Sequence, residues 1–197
     1  MISSSTPIDV AGIAAALGNN NIGVSGVIPN NKGGKFQLIV AKNSDYNFID
    51  GAVALSAVEQ CVNEGADVIN MSYGCAFPTC YSQIEEDFYK ELYDRGVLMV
   101  AAAGNSLKEN DDDYSERSKD KNVNPMDYYM DDYYNDYYND SEDVGYPASY
   151  PSVLAVASST FDNIQSDYST ANSQVEVCAP GQYVLSTVPN NKYAFFS

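Results

Sequence analysis

Serine, glycine and asparagine residues follow two apolar runs at the points where strands are expected to end. Ser72 and Gly74 come directly after DVINM, and Gly104 and Asn105 close the run VLMVAAAGN. A side-chain amide at such a point donates hydrogen bonds and stabilises negative charge that develops on an oxygen. The 197 residues contain no histidine. Taken alone, an asparagine after a strand is typical of a turn, and a site at these strand ends would have no imidazole base.

The elements that must position these residues alternate between helix and strand, which predicts an α/β fold with a largely parallel sheet. Helices are expected at 9–18, at 48–65 and up to Gly96, and strands at 36–42, 67–72, 97–105, 152–159, 174–180 and 183–188. The strand at 36–42 is expected to be buried on both faces. The core-facing residues are expected to be Ile49, Val53, Ala57 and Cys61 in the second helix and Ile84, Phe88 and Leu92 in the third. The segments SYGC and GN then meet beyond the carboxyl ends of adjacent strands.

The formal charge of -17 is concentrated in one acidic insert. Residues 106–143 hold 13 Asp and Glu against 4 Lys and Arg, a net charge of -9. This balance excludes nucleic acid and anionic membrane surfaces as expected partners. No apolar run reaches the roughly 18 residues of a membrane span. The low-complexity stretch MDYYMDDYYNDYYND favours a solvated surface loop, and the alternative is an acidic, aromatic tract that binds a cation or a partner.

Four cysteines are too few for a disulfide scaffold at this length. Cys75 and Cys80 are close enough in sequence to form a disulfide across a loop, as in an oxidising compartment, and two free thiols are an equal alternative. Cys61 and Cys178 have apolar neighbours and are expected to be buried. The N-terminus has no signal-peptide pattern. Glycosylation sequons occur at Asn139, in the insert, and at Asn70, where burial in a strand is expected to prevent its use.

Six segments carry a family resemblance in order: DVAGIAAALGNNNIGVSGVIP, GADVINMSYG, GVLMVAAAGN, GYPASYPSVLAVAS, VCAPG and STVPNNKYAFFS. Together they resemble the subtilisin-like serine proteases from Val10 to Ser197, apart from the acidic insert. The resemblance implies a partial peptidase domain over residues 1–197, folded as a three-layer sandwich that is incomplete at both ends. It also implies a serine endopeptidase that acts on protein or peptide substrates through a Ser-His-Asp triad without a catalytic cofactor, and that is monomeric at full length. The implied location is extracellular or in the secretory pathway.

The resemblance assigns binding residues at the two strand ends. Asn105 takes the place of the oxyanion-hole asparagine, and Ser72, Tyr73 and Gly74, followed by Cys75, form the strand that pairs with substrate. Ala102, Ala103 and Gly104 form the opposite wall, and Gly145 lies near the base of the primary specificity pocket. The large Tyr73 side chain is expected to narrow the pocket on the P4 side. The motif GYP implies a cis bond between Tyr146 and Pro147.

The segment GNNNIGV resembles the calcium loop of the family. Asn20 offers a side-chain oxygen, and Ile22 and Val24 offer backbone carbonyls, to a structural calcium ion. The acidic ligand that the family supplies from upstream has no counterpart in these residues. A plain Asn/Gly turn is the alternative.

The catalytic triad itself has no counterpart in the sequence. Thr6 stands at the position of the general-base histidine, Pro7 replaces a glycine, and Asp9 takes the place of a second, non-catalytic histidine. The triad aspartate is expected before Met1, and the nucleophilic serine just after Ser197. We therefore expect a truncated peptidase that is inactive as given, with exposed apolar surface and poor solubility. The alternatives are a non-catalytic pseudoprotease that binds extended peptides and an acidic surface protein that acts through its insert.

Overall fold

A computed structural model describes residues 6–28, 36–43, 50–75, 77–105 and 144–197. For Thr6 and Pro7 it describes the backbone alone. The helices are α1 (Thr6–Ala15), α2 (Gly51–Asn63) and α3 (Gln83–Asp94), and a short 3-10 helix spans Pro78–Cys80. The strands are β1 (Val68–Met71), β2 (Leu98–Ala102), β3 (Leu154–Ser159), β4 (Val175–Pro180), β5 (Val184–Val188) and β6 (Lys192–Phe196). The acidic insert at 106–143, with Asn139, and the predicted core residue Ile49 lie outside the described residues.

A four-stranded sheet in the order β1-β2-β3-β4 forms the centre of the fold, and all its pairs are parallel. Val68 lies beside Leu98, and Val100 lies beside Leu154. Consecutive strands are thus neighbours joined by crossovers, as the alternating pattern predicts. The predicted α/β class with a largely parallel sheet is confirmed.

The core lies between one face of this sheet and the helices α2 and α3. Ile69, Met71, Met99 and Ala101 point to this face and are almost fully buried. Tyr89 and Leu92 of α3 and Val58 of α2 pack against them. Burial of this apolar surface supplies the main favourable free energy for joining helices to sheet.

Both helices end where the sequence predicts, but their buried faces differ from the predicted ones. Gly65 and Gly96 follow the helices with φ of +91° and +88°, a conformation that glycine adopts without strain. In α2 the buried residues are Ala54, Ala57 and Val58. Val53 is 46% exposed, so only Ala57 of the described residues predicted for this face is buried as expected.

The buried face of α3 is also shifted from the expected one. Leu92 is buried and Phe88 packs against the core, as expected, whereas Ile84 is 76% exposed. Tyr89 is buried instead, with its ring 5.6 Å from that of Tyr150. Tyrosine suits either face of a helix, because it combines an apolar ring with a polar hydroxyl.

Three further expectations about burial are wrong. Residues 36–42 form no strand, and Val40 is exposed. Asn70 is exposed because it points away from the core, so its sequon does not lie in a buried position. Cys178 is exposed on the end strand β4, and Cys61 is only half-buried. The short apolar runs that suggested burial do not specify which elements cover them.

α1 packs against an antiparallel hairpin of β5 and β6. The hydroxyl of Ser186 donates to the carbonyl of Asp9, and the hydroxyl of Thr187 donates to that of Ile8 at 2.9 Å. The helix was expected at 9–18 and instead spans Thr6–Ala15. The backbone amides of Val27 and Ile28 donate to the carbonyls of Ile13 and Ala14, so the last turn of the helix finds its partners outside the helix.

Candidate functional site

The substrate strand, Ser72 to Cys75, continues β1 beyond the sheet ladder. Its residues leave the pairing with β2 after Met71. Among the residues that the structure describes, the backbone groups of Ser72, Tyr73 and Gly74 form no hydrogen bond with another backbone group. Gly74 is exposed. Within the described part of the chain, this stretch therefore presents amides and carbonyls without a backbone partner, of the kind that pair with an extended peptide.

The opposite wall follows β2 and ends at Asn105. Ala103 is buried, Gly104 has a φ of +112°, and Asn105 is exposed. The positive φ turns the chain out of the strand at a cost that only glycine avoids. The Gly104 carbonyl then accepts the amide of Thr170 at 3.1 Å, and Asn105 forms an antiparallel bridge with Ser169. The exposed Asn105, with its side-chain amide, thus lies at the carboxyl end of the sheet.

Gly145 and the residues after it join the two walls. Gly145 is buried, and a Cβ added to it would lie 3.0 Å from the carbonyl oxygen of Ala103. Tyr146 exchanges two backbone hydrogen bonds with Cys75, of 2.8 and 2.9 Å. The peptide bond between Tyr146 and Pro147 is cis, as predicted. The structure therefore brings the predicted substrate strand, opposite wall and pocket base together at the carboxyl end of the sheet.

The side chain of Tyr73 does not lie where the family resemblance implies. Its ring packs against the core, and burial raises the pKa of its hydroxyl to about 12. This inward position argues against a role in narrowing the P4-side pocket. The alternation of side chains along β1 explains it, because Tyr73 continues the buried series of Ile69 and Met71.

Thr6, at the expected position of the general-base histidine, and Asp9 and Ser197, near the expected triad positions, provide no imidazole base. Thr6 is the first residue of α1, and its side chain lies outside the described part of the chain. Asp9 is buried, accepts the amide of Val10 at 2.9 Å, and has a carboxyl pKa raised by desolvation. The hydroxyl of Ser197 accepts the backbone amide of Tyr183. None of these arrangements forms the nucleophile and base pair of a triad.

The predicted calcium loop has the geometry of a turn. Asn19, Asn21 and Gly23 have φ near +58°, where asparagine and glycine are favoured. The side-chain oxygen of Asn20 accepts the amide of Ile22 at 3.0 Å. Together with the carbonyls of Ile22 and Val24, it supplies three oxygens, fewer than the six to eight that calcium takes. In the described part of the chain, no group of three or more Asp, Glu, His or Cys is placed to hold a metal.

Of the two cysteine alternatives, the structure contains the disulfide. Cys75 and Cys80 are joined, with their Cα atoms 6.1 Å apart. Cys61 and Cys178 are free, and burial raises the pKa of the Cys61 thiol. No helix among the described residues is long and apolar enough to cross a membrane.

The model of the Subtilase family matches residues 8–197. The chain belongs to the subtilase family. Subtilisin DY of Bacillus licheniformis is 33% identical over 184 residues, which are 93% of this chain and 54% of that protein. The major intracellular serine protease of Bacillus subtilis (strain 168) is 31% identical over 191 residues, 93% of this chain and 47% of that protein. The chain thus spans about half the length of these relatives.

A solved subtilase has the same fold. The crystal structure of the psychrophilic subtilisin-like protease Apa1 from the Antarctic psychrotroph Pseudoalteromonas sp. AS-11 superimposes with a TM-score of 0.63. It is 29% identical, and the match covers 91% of this chain and 33% of that one. The subtilisin-like α/β fold expected from the sequence is confirmed.

One group of residues beside the subtilase site was not anticipated from the sequence. Ser166, Ser169 and Thr170 are buried polar residues in the loop that pairs with Gly104 and Asn105. The Ser169 hydroxyl accepts the amide of Ser158 at 2.8 Å, and the carbonyl of Ser169 accepts the side-chain amide of Gln165 at 2.6 Å. Small polar residues between two strands usually indicate a surface turn, so composition alone gives no signal for their burial.

Proposed function

We propose that the chain carries the substrate-binding walls and the oxyanion asparagine of a subtilisin-type serine endopeptidase. We also propose that these 197 residues alone bind an extended peptide without hydrolysing it. The complete reaction, peptide-bond cleavage by a Ser-His-Asp triad, requires a histidine, and the sequence contains none.

The observation that carries this proposal is the convergence of three segments at one sheet edge. The backbone of Ser72 to Gly74 has no backbone partner among the described residues. It is joined to the turn at Gly104 and the buried Gly145 through the pairing of Cys75 with Tyr146 and the approach of Gly145 to Ala103. Extended peptides bind such edges by adding a strand, with backbone hydrogen bonds giving affinity and side-chain pockets giving selectivity.

Asn105 supports the catalytic half of the proposal. Its exposed amide follows β2 and is held by the bridge to Ser169. A side-chain amide at this position donates to the oxyanion of a tetrahedral intermediate, a charge that does not exist in the bound substrate. Its contribution therefore belongs to turnover and not to peptide affinity.

Calcium is a weaker proposal from the family resemblance. Asn20, Ile22 and Val24 supply an incomplete ligand set, and the Asn20 oxygen already accepts a turn hydrogen bond. The proposed peptide binding and oxyanion stabilisation therefore involve no metal ion.

For location, we favour an oxidising compartment, extracellular or secretory, because a Cys75–Cys80 disulfide persists there. The names of relatives include both an extracellular protease and an intracellular one, so kinship alone does not decide the location. The proposed partner is a peptide or protein substrate, and the proposed state of the full-length protein is a monomer.

The test uses Ala-Ala-Ala-Phe amide with fluorescein on its N-terminal amine, and the chain is immobilised on beads to prevent aggregation. We expect saturable binding that is lost in Gly145→Val, because the added side chain enters the pocket base beside Ala103. Asn105→Ala is the matched control, and its peptide affinity should be unchanged. Absence of saturable binding by the unaltered chain would refute the proposal.

A further inference from the structure

A disulfide closes the end of the substrate strand. Cys75 is the last residue of that strand, and Cys80 is the last residue of the short 3-10 helix that leads towards α3. The covalent link therefore connects the peptide-binding edge to the segment in front of α3. The roles proposed for Asn105 and Gly145 do not account for a disulfide at this position.

Cys75 is also fixed through its backbone. Its amide donates to the carbonyl of Tyr146 at 2.8 Å, and its carbonyl accepts the amide of Tyr146 at 2.9 Å. Tyr146 follows the pocket glycine Gly145 directly in the sequence. Cys75 is consequently the point at which the substrate strand meets the pocket base.

The Cys80 end of the link is fixed to the same turn. Ser82, the N-cap of α3, donates its amide to the Tyr150 hydroxyl at 3.0 Å. The ring of Tyr81 lies 5.7 Å from the ring of Tyr146 and 6.0 Å from that of Tyr150. The disulfide thus completes a closed circuit from the substrate strand through residues 80–82 and the turn at 146–150 back to Cys75.

The strand has little other support on its site side. Ser72, Tyr73 and Gly74 form no backbone-to-backbone hydrogen bond within the described residues, and Gly74 has the broad conformational freedom of glycine. An edge that must already be extended to pair with a peptide loses affinity when binding has to order it first. The Tyr73 ring anchors the segment to the core, and Cys75 anchors the end that meets the pocket turn.

We propose that Cys75 and Cys80 are positioning residues for substrate, whose disulfide holds the substrate strand extended for peptide pairing. This inference rests on the proposed function, since it assumes that Ser72 to Cys75 bind peptide. Peptide affinity then depends on the oxidation state of the pair. Reduction by a dithiol transfers two electrons and two protons, breaks the S–S bond to give two thiols, and leaves the dithiol as a cyclic disulfide.

The test measures peptide affinity in the oxidised and reduced states of the full chain. Cys61→Ser with Cys178→Ser forms the background variant, so that the disulfide contains the only cysteines. We expect dithiothreitol to weaken binding of the labelled peptide by roughly tenfold, with recovery on reoxidation. Cys75→Ala with Cys80→Ala should bind like the reduced chain and be insensitive to dithiothreitol.

Hydrogen exchange separates positioning from general stability. On reduction, the amides of Cys75 and Tyr146 should exchange faster, while those of Met99 and Ala101 in β2 stay protected. Equal affinity in both states would overturn this inference and leave the proposed function intact. Loss of protection in β2 together with affinity would also overturn it, since the link would then support the whole fold. If the oxidised chain binds no peptide, both the inference and the proposed function fail.

Discussion

At the scale of single residues, the site is defined by groups that act through their backbone or through small size. Gly74, Gly104 and Gly145 allow three chain segments to approach closely, and Asn105 is the one side chain that we propose acts in turnover. The absent imidazole is the decisive difference from a working triad, because no hydroxyl or amide replaces it as a base at neutral pH.

Gly74 should not tolerate a larger side chain. A Cβ at this position would lie 2.8 Å from the carbonyl oxygen of Tyr146, so Gly74→Ala must displace the substrate strand or that turn. We expect peptide affinity to fall by roughly tenfold or more, the equivalent of about 1.4 kcal/mol. The measurement is the bead-binding assay.

Gly51→Ala is the matched control for this substitution. Its Cβ would meet only the flexible carboxylate end of Glu85, 3.1 Å away. A Gly74→Ala variant with the affinity of Gly51→Ala would contradict the assigned position of the substrate strand.

Asp9 should make folding less favourable as the pH rises. Desolvation raises the carboxyl pKa in the folded state above its ordinary value, so folding favours the protonated form. The favourable effect is complete at pH values below the unfolded pKa and is lost as the pH rises through the folded pKa. Asp9→Asn should therefore raise the melting midpoint at pH 7 and not near pH 3.

Thermal melts across this pH range measure the effect. Asp162→Asn, at an exposed position in a turn, is the control and should leave the midpoint unchanged at both pH values. An equal change for Asp9→Asn at pH 3 and pH 7 would show that its carboxyl is not desolvated.

At the scale of secondary structure elements, the turn from Gly145 to Tyr150 connects the site to α3. Ser82 caps α3, and its amide donates to the Tyr150 hydroxyl, which in turn donates to Glu85 at 3.0 Å. Burial raises the pKa of Tyr150, so it remains a neutral donor at physiological pH. One phenol therefore fixes the start of α3 against the pocket turn.

Tyr150→Phe removes this hydroxyl and leaves the Ser82 amide without its partner. We expect a loss of about 1–2 kcal/mol in the free energy of unfolding, measured by urea denaturation. Tyr183→Phe, whose ring is exposed, is the control and should change little. If the two variants were equally stable, the link between Tyr150 and α3 would have no energetic weight.

The elements were predictable from the sequence where local patterns determine them. The ends of the helices at Gly65 and Gly96 and the four strands of the parallel sheet agree with the sequence pattern. The cis bond before Pro147 agrees with what the family resemblance implies. The β6 strand was missed, although Asn190 and Asn191, both with positive φ, form a hairpin turn of the kind that paired asparagines favour.

Tertiary placement was much less predictable. The exposure of Cys178 does not follow from neighbouring residues, because it depends on which element packs beside β4. The pairing of Asn105 with Ser169 joins residues 64 positions apart, and local periodicity carries no signal for it.

At the scale of the whole molecule, the sheet has one face packed by helices and one with exposed apolar residues. Val68 and Leu98 are neighbours on the second face and are 59% and 45% exposed. Val177, which lies beside Val156, is also exposed. This placement accords with the expectation of exposed apolar surface and supports the prediction of poor solubility.

Lysine on this face should increase solubility. Val68→Lys with Leu98→Lys interrupts the apolar surface and adds one charge to β1, an end strand of the described sheet, and one to the neighbouring β2. We expect light scattering at a fixed concentration to fall severalfold. The control is Ile84→Lys with Phe161→Lys, which changes the net charge equally but alters separate exposed side chains. Equal improvement in both variants would attribute aggregation to charge and not to the open face.

We propose that this subtilase chain binds an extended peptide but has no histidine to act as a catalytic base. The most direct test adds a quenched fluorogenic peptide with phenylalanine before the scissile bond to the purified, immobilised chain. Binding and cleavage are then followed in one sample by retention on the beads and by mass spectrometry. We predict saturable retention of intact peptide with no cleavage above the rate in buffer. Cleavage that remains with the purified chain and saturates with peptide would contradict the account.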